Sequence, residues 1–325
     1  MQLNQYFRSL FLIVAAALSL SVFIGCTSQK EISKPLRIGM NTWPGYEPFV
    51  LAKKHGFLAE NVKISRVNSA TDVIKAFKSD LIDIACLTLD EAIILQSKSD
   101  DNIKIIVVMD MSTGGDAVIA RKDIGSMQDL KGGRIGVESS ALGSFILSRA
   151  VDLTPGLSLN DLKVVNLSYE HHMTEFNKGN IDAVVTFEPV KTKLLKGYAH
   201  VLFDSSQIPG EILDVMIIKE KTIHTKKLAM QKVVKAWFKS VEYISKERKK
   251  SLNEMASYEG ITFEEFKIAY TGISVPSLQA NRDFFSTQLH TSIKRLNKIL
   301  GEKKLVSKEI VPQDLYSDVF LKRVE

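Results

Sequence analysis

Cysteine is scarce in this sequence, and the common motifs of metal and nucleophile chemistry are missing from it. The 325 residues include two cysteines, no C-x-x-C pair and no H-E-x-x-H motif, so we expect no metal site and no cofactor. No nucleophile elbow or Ser-His-Asp set stands out, and we therefore do not expect an enzyme. His171 and His172 are adjacent and point in different directions on a helix. We expect both to be exposed to solvent and to share no metal.

A strong excess of one charge is also missing. The 43 Lys and Arg residues exceed the 37 Asp and Glu residues by six, and the two signs mix along most of the chain. Such a surface does not favour nucleic acid as a partner. With 45% hydrophobic and 25% charged residues, the composition is that of a globular protein with one large domain or two of moderate size. We expect a monomer.

The first 25 residues have the pattern of a secretory signal. Arg8 is the one charged side chain there, and an apolar run from Leu10 to Ile24 is followed by Gly25 and Cys26. The segment resembles bacterial lipoprotein signals, in which such a cysteine becomes the lipid-modified first residue. This resemblance implies a signal peptide over 1–25, an acylated, palmitate-bearing Cys26 as membrane anchor, a polar tether over 26–35, and a place in the periplasm or on the cell surface. A plain membrane anchor and an ordinary secretory signal are the alternatives.

The second cysteine, Cys86, stands in the apolar stretch IDIACLTLD. Because this stretch has the pattern of a strand, we expect Cys86 to be a small buried hydrophobic residue. If Cys26 carries a lipid, Cys86 is the one free thiol and no disulfide forms.

Strand-like and helix-like segments alternate through the body of the chain, which begins at Pro35. Runs such as LRIGM, IDIACLT, RIGVE and IDAVVTF are each followed by an amphipathic stretch, for example PFVLAKKHGFL. This alternation predicts an α/β fold with parallel, layered sheets. The pattern falls into two blocks with junctions near Gly114 and Pro209, and from Thr225 onward it predicts mostly helices.

Five segments, in order, resemble the nitrate/sulfonate/taurine-type solute-binding proteins of ABC transporters. They are RIGMNTWPGYEPFVLAKKHGFL, IACLTLDEAIIL, MSTGGDAVIARKDIGSMQDLKGGRIGVE, GNIDAVVTFEPV and LFDSSQIPGEILDVMII. The likeness covers Leu36 to Ile218, and the tail is similar only in being helical.

This resemblance implies a type II periplasmic-binding-protein fold, in which two crossover strands join two α/β lobes across a central cleft. Lobe 1 would comprise 36–115 and 211–325, and lobe 2 would comprise 116–210. The implied function is capture of a small polar organic ligand, taurine- or sulfonate-like or amine-bearing, and its delivery to an ABC permease and ATPase. A sensing subunit for a membrane signalling protein is the alternative, and a pyrimidine-precursor enzyme or binding protein is a third candidate.

The expected ligand site lies where strands lead into helices, because ligands of parallel α/β sheets bind beyond the carboxyl ends of the strands. These junctions are rich in hydroxyls, aromatics and acids, which suits a pocket with an apolar wall and a few placed polar groups. The predicted ligand-binding residues are Trp43, Tyr46, Thr88, Asp90, Ser112, Asp116, Ser139, Ser140 and Glu188.

Two large aromatics in the tight turn TWPGY are expected to form one wall of the cleft. Trp43 and Tyr46 would cover a small ligand with their flat faces. The alternative for Trp43 is packing in the core of its lobe. Pro44 and Gly45 shape the turn in either case.

The polar candidates point to two kinds of ligand charge. Ser139 and Ser140 begin a helix, where they cap its N-terminus and where an anion is also favoured. The acids instead repel a bare anion such as nitrate and favour an amine, to which Trp43 or Tyr46 would add a cation–π attraction. A zwitterion satisfies both, and Asp116 is the first choice among the acids. Asp90 or Glu91 caps one helix in the alternative view, and Glu188 begins another.

Overall fold

The computed structural model describes residues 35–138 and 141–324. The predicted signal peptide, the lipidation site Cys26, the tether up to residue 34, and the candidates Ser139 and Ser140 lie outside the described residues. Two sheets organise the described part, and helices pack on both.

The first sheet has six strands and is mixed. Its strands in spatial order are β11 (Ile273–Ser274), β4 (Ile103–Ser112), β10 (Leu213–Lys219), β3 (Ile84–Thr88), β1 (Leu36–Met40) and β2 (Val62–Arg66). β1 pairs in parallel with β2 and β3, whereas β10 runs antiparallel to both β3 and β4. Cys86 on β3 is fully buried, so its expected role as a small core residue is confirmed.

The second sheet has five strands and repeats this arrangement. Its strands in spatial order are β7 (Lys163–Asn166), β6 (Arg134–Val137), β8 (Ala183–Phe187), β5 (Asp116–Arg121) and β9 (Ala199–Asp204). β6 pairs in parallel with β7 and β8, and β5 runs antiparallel to β8 and β9.

Each sheet thus contains an antiparallel strand that the alternating sequence pattern does not predict. β5 and β10 are the first strands after the chain passes from one sheet to the other. Such a strand enters its sheet at the edge where the parallel strands end, so it runs against them. Its first residues therefore lie beside the last residues of its neighbours: Asp116, the first residue of β5, pairs with Phe187, and Asp214, the second residue of β10, pairs with Thr88.

The helices connect and cover these strands. Their bounds are α1 (Pro48–Lys54), α2 (Ala70–Lys78), α3 (Leu89–Ser97), α4 (Ala141–Asp152), α5 (His172–Asn177), α6 (Val190–Leu195), α7 (Glu220–Thr225), α8 (Lys227–Lys246), α9 (Arg248–Glu259), α10 (Phe263–Thr271), α11 (Leu278–Thr287) and α12 (Leu289–Glu302). In the described ranges none of the helices is long and apolar enough to cross a membrane. The helical tail predicted from Thr225 is present, and its longest helix, α8, packs on α1 through Trp237 and Phe49, whose ring centroids are 4.8 Å apart.

The two passages between the sheets are hydrogen-bonded to each other. Ser112 at the end of β4 and Ser205 just after β9 lie with their hydroxyl oxygens 2.8 Å apart, and the Ser205 hydroxyl also accepts from the Gly114 amide at 2.7 Å. Gly114 has φ of +124°, a conformation that favours glycine. The crossover segments therefore form one joint between the sheets.

Candidate ligand-binding site

One narrow cavity lies where strand ends of both sheets meet. Its free volume is about 30 Å³, which is room for a small molecule only. Its lining comes from both sheets and consists of Asn41, Trp43, Tyr46, Ala70, Thr88, Glu91, Asp116, Glu138, Leu142, Gly143, Ile146, His172, Val185, Thr186, Phe187 and Asp214.

Two buried acids hold the aromatic turn of the sequence in place by hydrogen bonds. Trp43 precedes a 3-10 turn, Pro44–Tyr46, that follows β1. The Trp43 indole Nε1 lies 3.2 and 3.1 Å from the two carboxylate oxygens of Asp110, and the Tyr46 hydroxyl donates to Asp214. Both aromatic residues line the cavity and are at most 4% exposed, so Trp43 belongs to the core and to the cavity wall at once.

Gly45 is required in this turn by close approach. A Cβ atom at this position would lie 2.0 Å from the Asp110 Oδ2 atom and 2.5 Å from the Trp43 Nε1 atom. Neither atom can retreat without breaking the hydrogen bond between them. The Pro44–Gly45 pair therefore brings the backbone into close contact with Asp110, the acid that binds the Trp43 indole.

Asp110 and Asp214 are acids inside otherwise apolar strands. Burial raises the pKa of Asp110 to about 7 and raises the pKa of Asp214 well above its usual range. The charge of Asp110 adds to the effect on Asp214. The pair therefore retains a proton at neutral pH.

A second aromatic group comes from the five-stranded sheet. Phe187 at the end of β8 meets Trp43 edge to face, with ring centroids 6.0 Å apart, and stacks on Tyr169 at 4.2 Å. Trp43 and Phe187 both line the cavity. Apolar ring contacts thus connect the two sheets directly at the site.

The start of α3 holds three polar residues, Thr88, Asp90 and Glu91, two of which line the cavity. Glu91 accepts the Thr88 amide at 3.0 Å through Oε2, and the Thr88 side chain accepts from the backbone amide of Glu91, so the two residues form a capping box, while the Glu91 Oε1 atom has no partner. Thr88 and Glu91 line the cavity, whereas Asp90, although fully buried, does not. Burial raises the pKa of Glu91 to about 8 and that of Asp90 to about 6.

The five-stranded sheet contributes two further acids. Asp116 begins β5 and Glu138 follows β6, and both line the cavity with one unpartnered oxygen each, Oδ2 and Oε1. Burial raises the pKa of each to about 7. The structure therefore places Asp116 at the same cavity as Trp43, Tyr46 and Thr88, and their contact with a ligand stays a prediction.

Two predicted residues lie beside the cavity without lining it. Ser112 belongs to the joint with Ser205. Glu188 accepts the Thr192 amide at 3.0 Å and so caps α6, and Lys191 lies 3.5 Å from its other oxygen. For Glu188 the structure has the helix-start arrangement that the sequence offers as the alternative.

The expectation that both histidines are exposed is wrong for His172. It is fully buried, lines the cavity, and lies 3.1 Å from the Thr186 hydroxyl and 3.2 Å from the Leu167 carbonyl oxygen. Burial lowers its pKa to about 4, so the ring is neutral at pH 7. Its position at the first turn of α5 turns it toward β8, while His171 faces outward.

The cavity is rich in acids and poor in cations. Among the residues that the structure describes, four acidic side chains and no Lys or Arg line it. Lys191 lies close enough to lower the pKa of Asp116, but its Nζ donates to the Gly114 carbonyl at 2.7 Å. Within residues 35–138 and 141–324 no group of three or more His, Cys, Asp or Glu side chains is placed to hold a metal ion.

Sequence reasoning did not select several cavity residues. Glu138 and Phe187 stand at predicted strand ends, and counting every polar or aromatic residue there would have found them. Asp110 and Asp214 have a different signal, a single acid within the apolar strands IKIIVVMDMS and LDVMIIK. A lone acid in a buried strand requires a partner, and here the partners are the two aromatics of the turn.

Comparison with protein families gives one match over most of the chain. A model of the NMT1-like family matches residues 29–258, which is more than half of the sequence. No curated protein matches the chain significantly.

Solved structures of binding proteins have the same fold. The alkanesulfonate-binding protein SsuA from Xanthomonas axonopodis pv. citri, bound to MOPS, has a TM-score of 0.72 at 18% identity over 86% of this chain and 97% of its own. The periplasmic aliphatic sulphonate-binding protein SsuA from Escherichia coli has a TM-score of 0.68 at 19% identity, over 88% of this chain and 98% of its own. The ligand-binding component of an ABC-type import system from Staphylococcus aureus, with zinc bound, has a TM-score of 0.74 at 15% identity, over 89% of this chain and 98% of its own. The predicted family and the α/β, periplasmic-binding-protein fold are thereby confirmed.

Proposed function

This chain belongs to the NMT1-like family, and we propose that it is an extracytoplasmic solute-binding protein for a small amine-bearing organic molecule. The observation that carries this proposal is a set of unpartnered buried acceptors around one cavity. Glu91, Asp116 and Glu138 each present such an oxygen, and none of the lining residues within 35–138 and 141–324 is a Lys or Arg. A buried carboxylate without a donor is costly, and an ammonium group supplies both the donor and the opposite charge.

The acids argue against a bare anion. Nitrate or an alkanesulfonate would meet four acidic side chains and, among the described lining residues, no Lys or Arg, and each of these acids repels an anion once it is ionised. A zwitterion such as taurine remains compatible if its anionic end lies toward the start of α4. The relatives named for sulfonates support the scaffold, since fold alone does not determine the ligand.

Ligand capture by closure of two lobes follows from how deeply the site is enclosed. Asp116 is 2% exposed and Trp43 is 4% exposed, so a ligand enters only when the two sheets separate. The joint of Ser112, Gly114 and Ser205 is the natural pivot for this motion, because a few loop residues absorb such rotations. The division into lobes, with 36–115 and 211–325 against 116–210, is part of the proposal.

We further propose that Cys26 is acylated and that the bound molecule is delivered to an ABC importer. The family match and the relative described as part of an ABC-type import system support delivery. Metabolic labelling with an alkyne fatty acid tests the anchor: the wild-type precursor should be labelled in a bacterial host, and a Cys26→Ser variant should not. Equal labelling of both would remove Cys26 as the lipid site.

The ligand class is tested with the protein lacking residues 1–26. Native mass spectrometry first identifies any co-purified molecule, and a thermal-shift panel then compares small amines, amino acids, taurine, alkanesulfonates, nitrate and pyrimidines. A ligand at 100 times its Kd adds about 2.7 kcal/mol to the free energy of unfolding. We expect shifts only with amine-bearing compounds. A shift with nitrate or an amine-free sulfonate, and with no amine, would refute the proposal.

A further inference from the structure

The unpartnered acceptors of the cavity lie on both sheets. Glu91 belongs to the start of α3, which follows β3, whereas Asp116 begins β5 and Glu138 follows β6. Each has a side-chain oxygen without a hydrogen-bond partner, and none of the three residues is more than 4% exposed. Because an ionised carboxylate only accepts, a molecule that satisfies this set in its ionised form must donate toward both halves at once.

A planar nitrogen cation meets this requirement better than an ammonium group does. An ammonium has three donors on one atom, whereas a guanidinium spreads its N–H groups around a flat rim and binds carboxylates in a bidentate way. The cavity is also narrow, at about 30 Å³, and Trp43 and Phe187 line it. Guanidinium groups stack on aromatic faces, where a cation–π attraction adds to the contact.

We propose that the ligand is a guanidinium or amidinium ion with little or no substituent. This inference rests on the proposed function and narrows its ligand class. In the bound state the rim donates to Glu91 on one side and to Asp116 and Glu138 on the other. The ion thereby links the two sheets, so its binding favours the closed arrangement.

Three planar molecules of the same shape and different charge provide the test. Guanidinium, urea and nitrate are each a trigonal set of three substituents on one atom, with charges of +1, 0 and −1. Calorimetric titration of the ligand-free protein at pH 8 in matched salt should show guanidinium and acetamidinium binding at least a hundredfold tighter than urea, and no heat from nitrate. Urea equal to guanidinium, or binding of nitrate, would overturn the inference.

Substitutions locate the bound ion. Glu138→Gln keeps the size of the side chain but removes its charge, so guanidinium should bind at least tenfold more weakly. Asp116→Asn is the second variant and should have the same effect. Glu60→Gln, at an exposed residue, is the matched control and should leave the affinity unchanged. Thermal unfolding of each variant verifies that it is folded, and wild-type affinity in both cavity variants would contradict the assignment.

Two further probes separate this inference from the proposed function. Methylammonium and taurine carry an amine without the planar group. If either binds more tightly than guanidinium, the planar-cation inference is wrong and the amine-binding function stands. If no cation in the set produces heat or a thermal shift, both fall.

Discussion

Asp110 on β4 and Asp214 on β10 lie directly opposite each other in adjacent antiparallel strands. Each accepts a hydrogen bond from one aromatic residue of the same turn, Trp43 for Asp110 and Tyr46 for Asp214. In the described part of the chain neither acid has a salt-bridge partner within 4 Å. Two buried carboxyls at this position do not both ionise at neutral pH. A partly protonated pair therefore holds the aromatic wall of the cavity.

Replacing Asp214 tests whether its charge or its hydrogen bond matters. Asp214→Asn keeps an acceptor for Tyr46 and removes the repulsion from Asp110, so we expect a free energy of unfolding within about 1 kcal/mol of wild type, or higher. Asp214→Ala leaves the buried Tyr46 hydroxyl unpartnered and should cost about 1–3 kcal/mol. Urea denaturation measures both. Equal loss in the two variants would show that Asp214 acts through its charge.

Gly45 gives a steric prediction with a matched control. Gly45→Ala places a methyl group 2.0 Å from the Asp110 Oδ2 atom, so overpacking and the lost Trp43 hydrogen bond should together cost about 2–4 kcal/mol. At Gly125 the nearest atom, Asp129 Oδ2, is 3.5 Å from the added carbon. Gly125→Ala should therefore change stability by less than about 1 kcal/mol. A mild effect at Gly45 would mean that the turn rearranges freely.

The cavity acids predict the pH dependence of the ligand-free protein. The pKa values of Glu91, Asp116, Glu138 and Asp110 are raised by burial to about 8, 7, 7 and 7, above about 4 for unfolded carboxyls. Between these values the folded state binds more protons than the unfolded state, so the free energy of unfolding falls as pH rises. Denaturation at pH 6.5 and 8.5 should show this fall.

One buried group, His172, has the opposite effect on stability, but it acts outside the pH range of this measurement. His172 has a pKa lowered to about 4, and it makes stability rise with pH only below about 6.5, its unfolded value. Glu91→Gln should flatten the fall above pH 6.5, because it removes the acid whose pKa, about 8, is the highest of these four. Stability that rises between pH 6.5 and 8.5 in the wild type would contradict the pKa values.

Asp116 is the predicted ligand contact with the clearest mutational consequence. Asp116→Asn should weaken binding of any ligand that stabilises the wild type by at least tenfold, without lowering the unfolding midpoint of the free protein, since it removes a buried charge. The control is Asp100→Asn, at an exposed acid outside the cavity. Unchanged affinity in Asp116→Asn would remove this residue from the site.

Cation binding should release protons. A cation stabilises the ionised form of Asp116 and Glu138, whose pKa values are about 7 in the empty cavity, so affinity should increase from pH 6 to pH 8. The affinity can increase by at most tenfold per pH unit for each proton that is released on binding. Titrations at pH 6.5 in buffers of different ionisation enthalpy count these protons. Heats that do not depend on the buffer would show that the acids are already ionised.

The alternating pattern predicted the order of most strands and helices because each element carries its own hydrophobic period. LRIGM became β1 and PFVLAKK became α1. The direction of β5 and β10 was not predictable in this way. Strand direction depends on which sheet the chain joins, and the residues of DAVIAR and LDVMIIK do not record it.

Part of the site followed from strand ends and part did not. Trp43, Tyr46, Thr88 and Asp116 were found because they flank predicted strands, and all four line the cavity. Asp90, two positions after Thr88, was selected by the same rule but lies outside the lining, since residues two positions apart at a helix start face different ways. Asp214 was not selected because it lies near the start of a strand, and the rule for parallel sheets considers only where strands end.

Because the chain passes between the two sheets at two neighbouring points, the cavity residues of the five-stranded sheet belong to one continuous segment. All residues from Asp116 to Asp204 enter and leave the five-stranded sheet through the single joint at Ser112 and Ser205. If this segment were exchanged for that of a relative, Asp116, Glu138 and Phe187 would be replaced together. The Asp110–Asp214 pair that binds the aromatic turn would stay unchanged. New ligand preferences are therefore accessible by recombination at two points, without redesign of the aromatic wall.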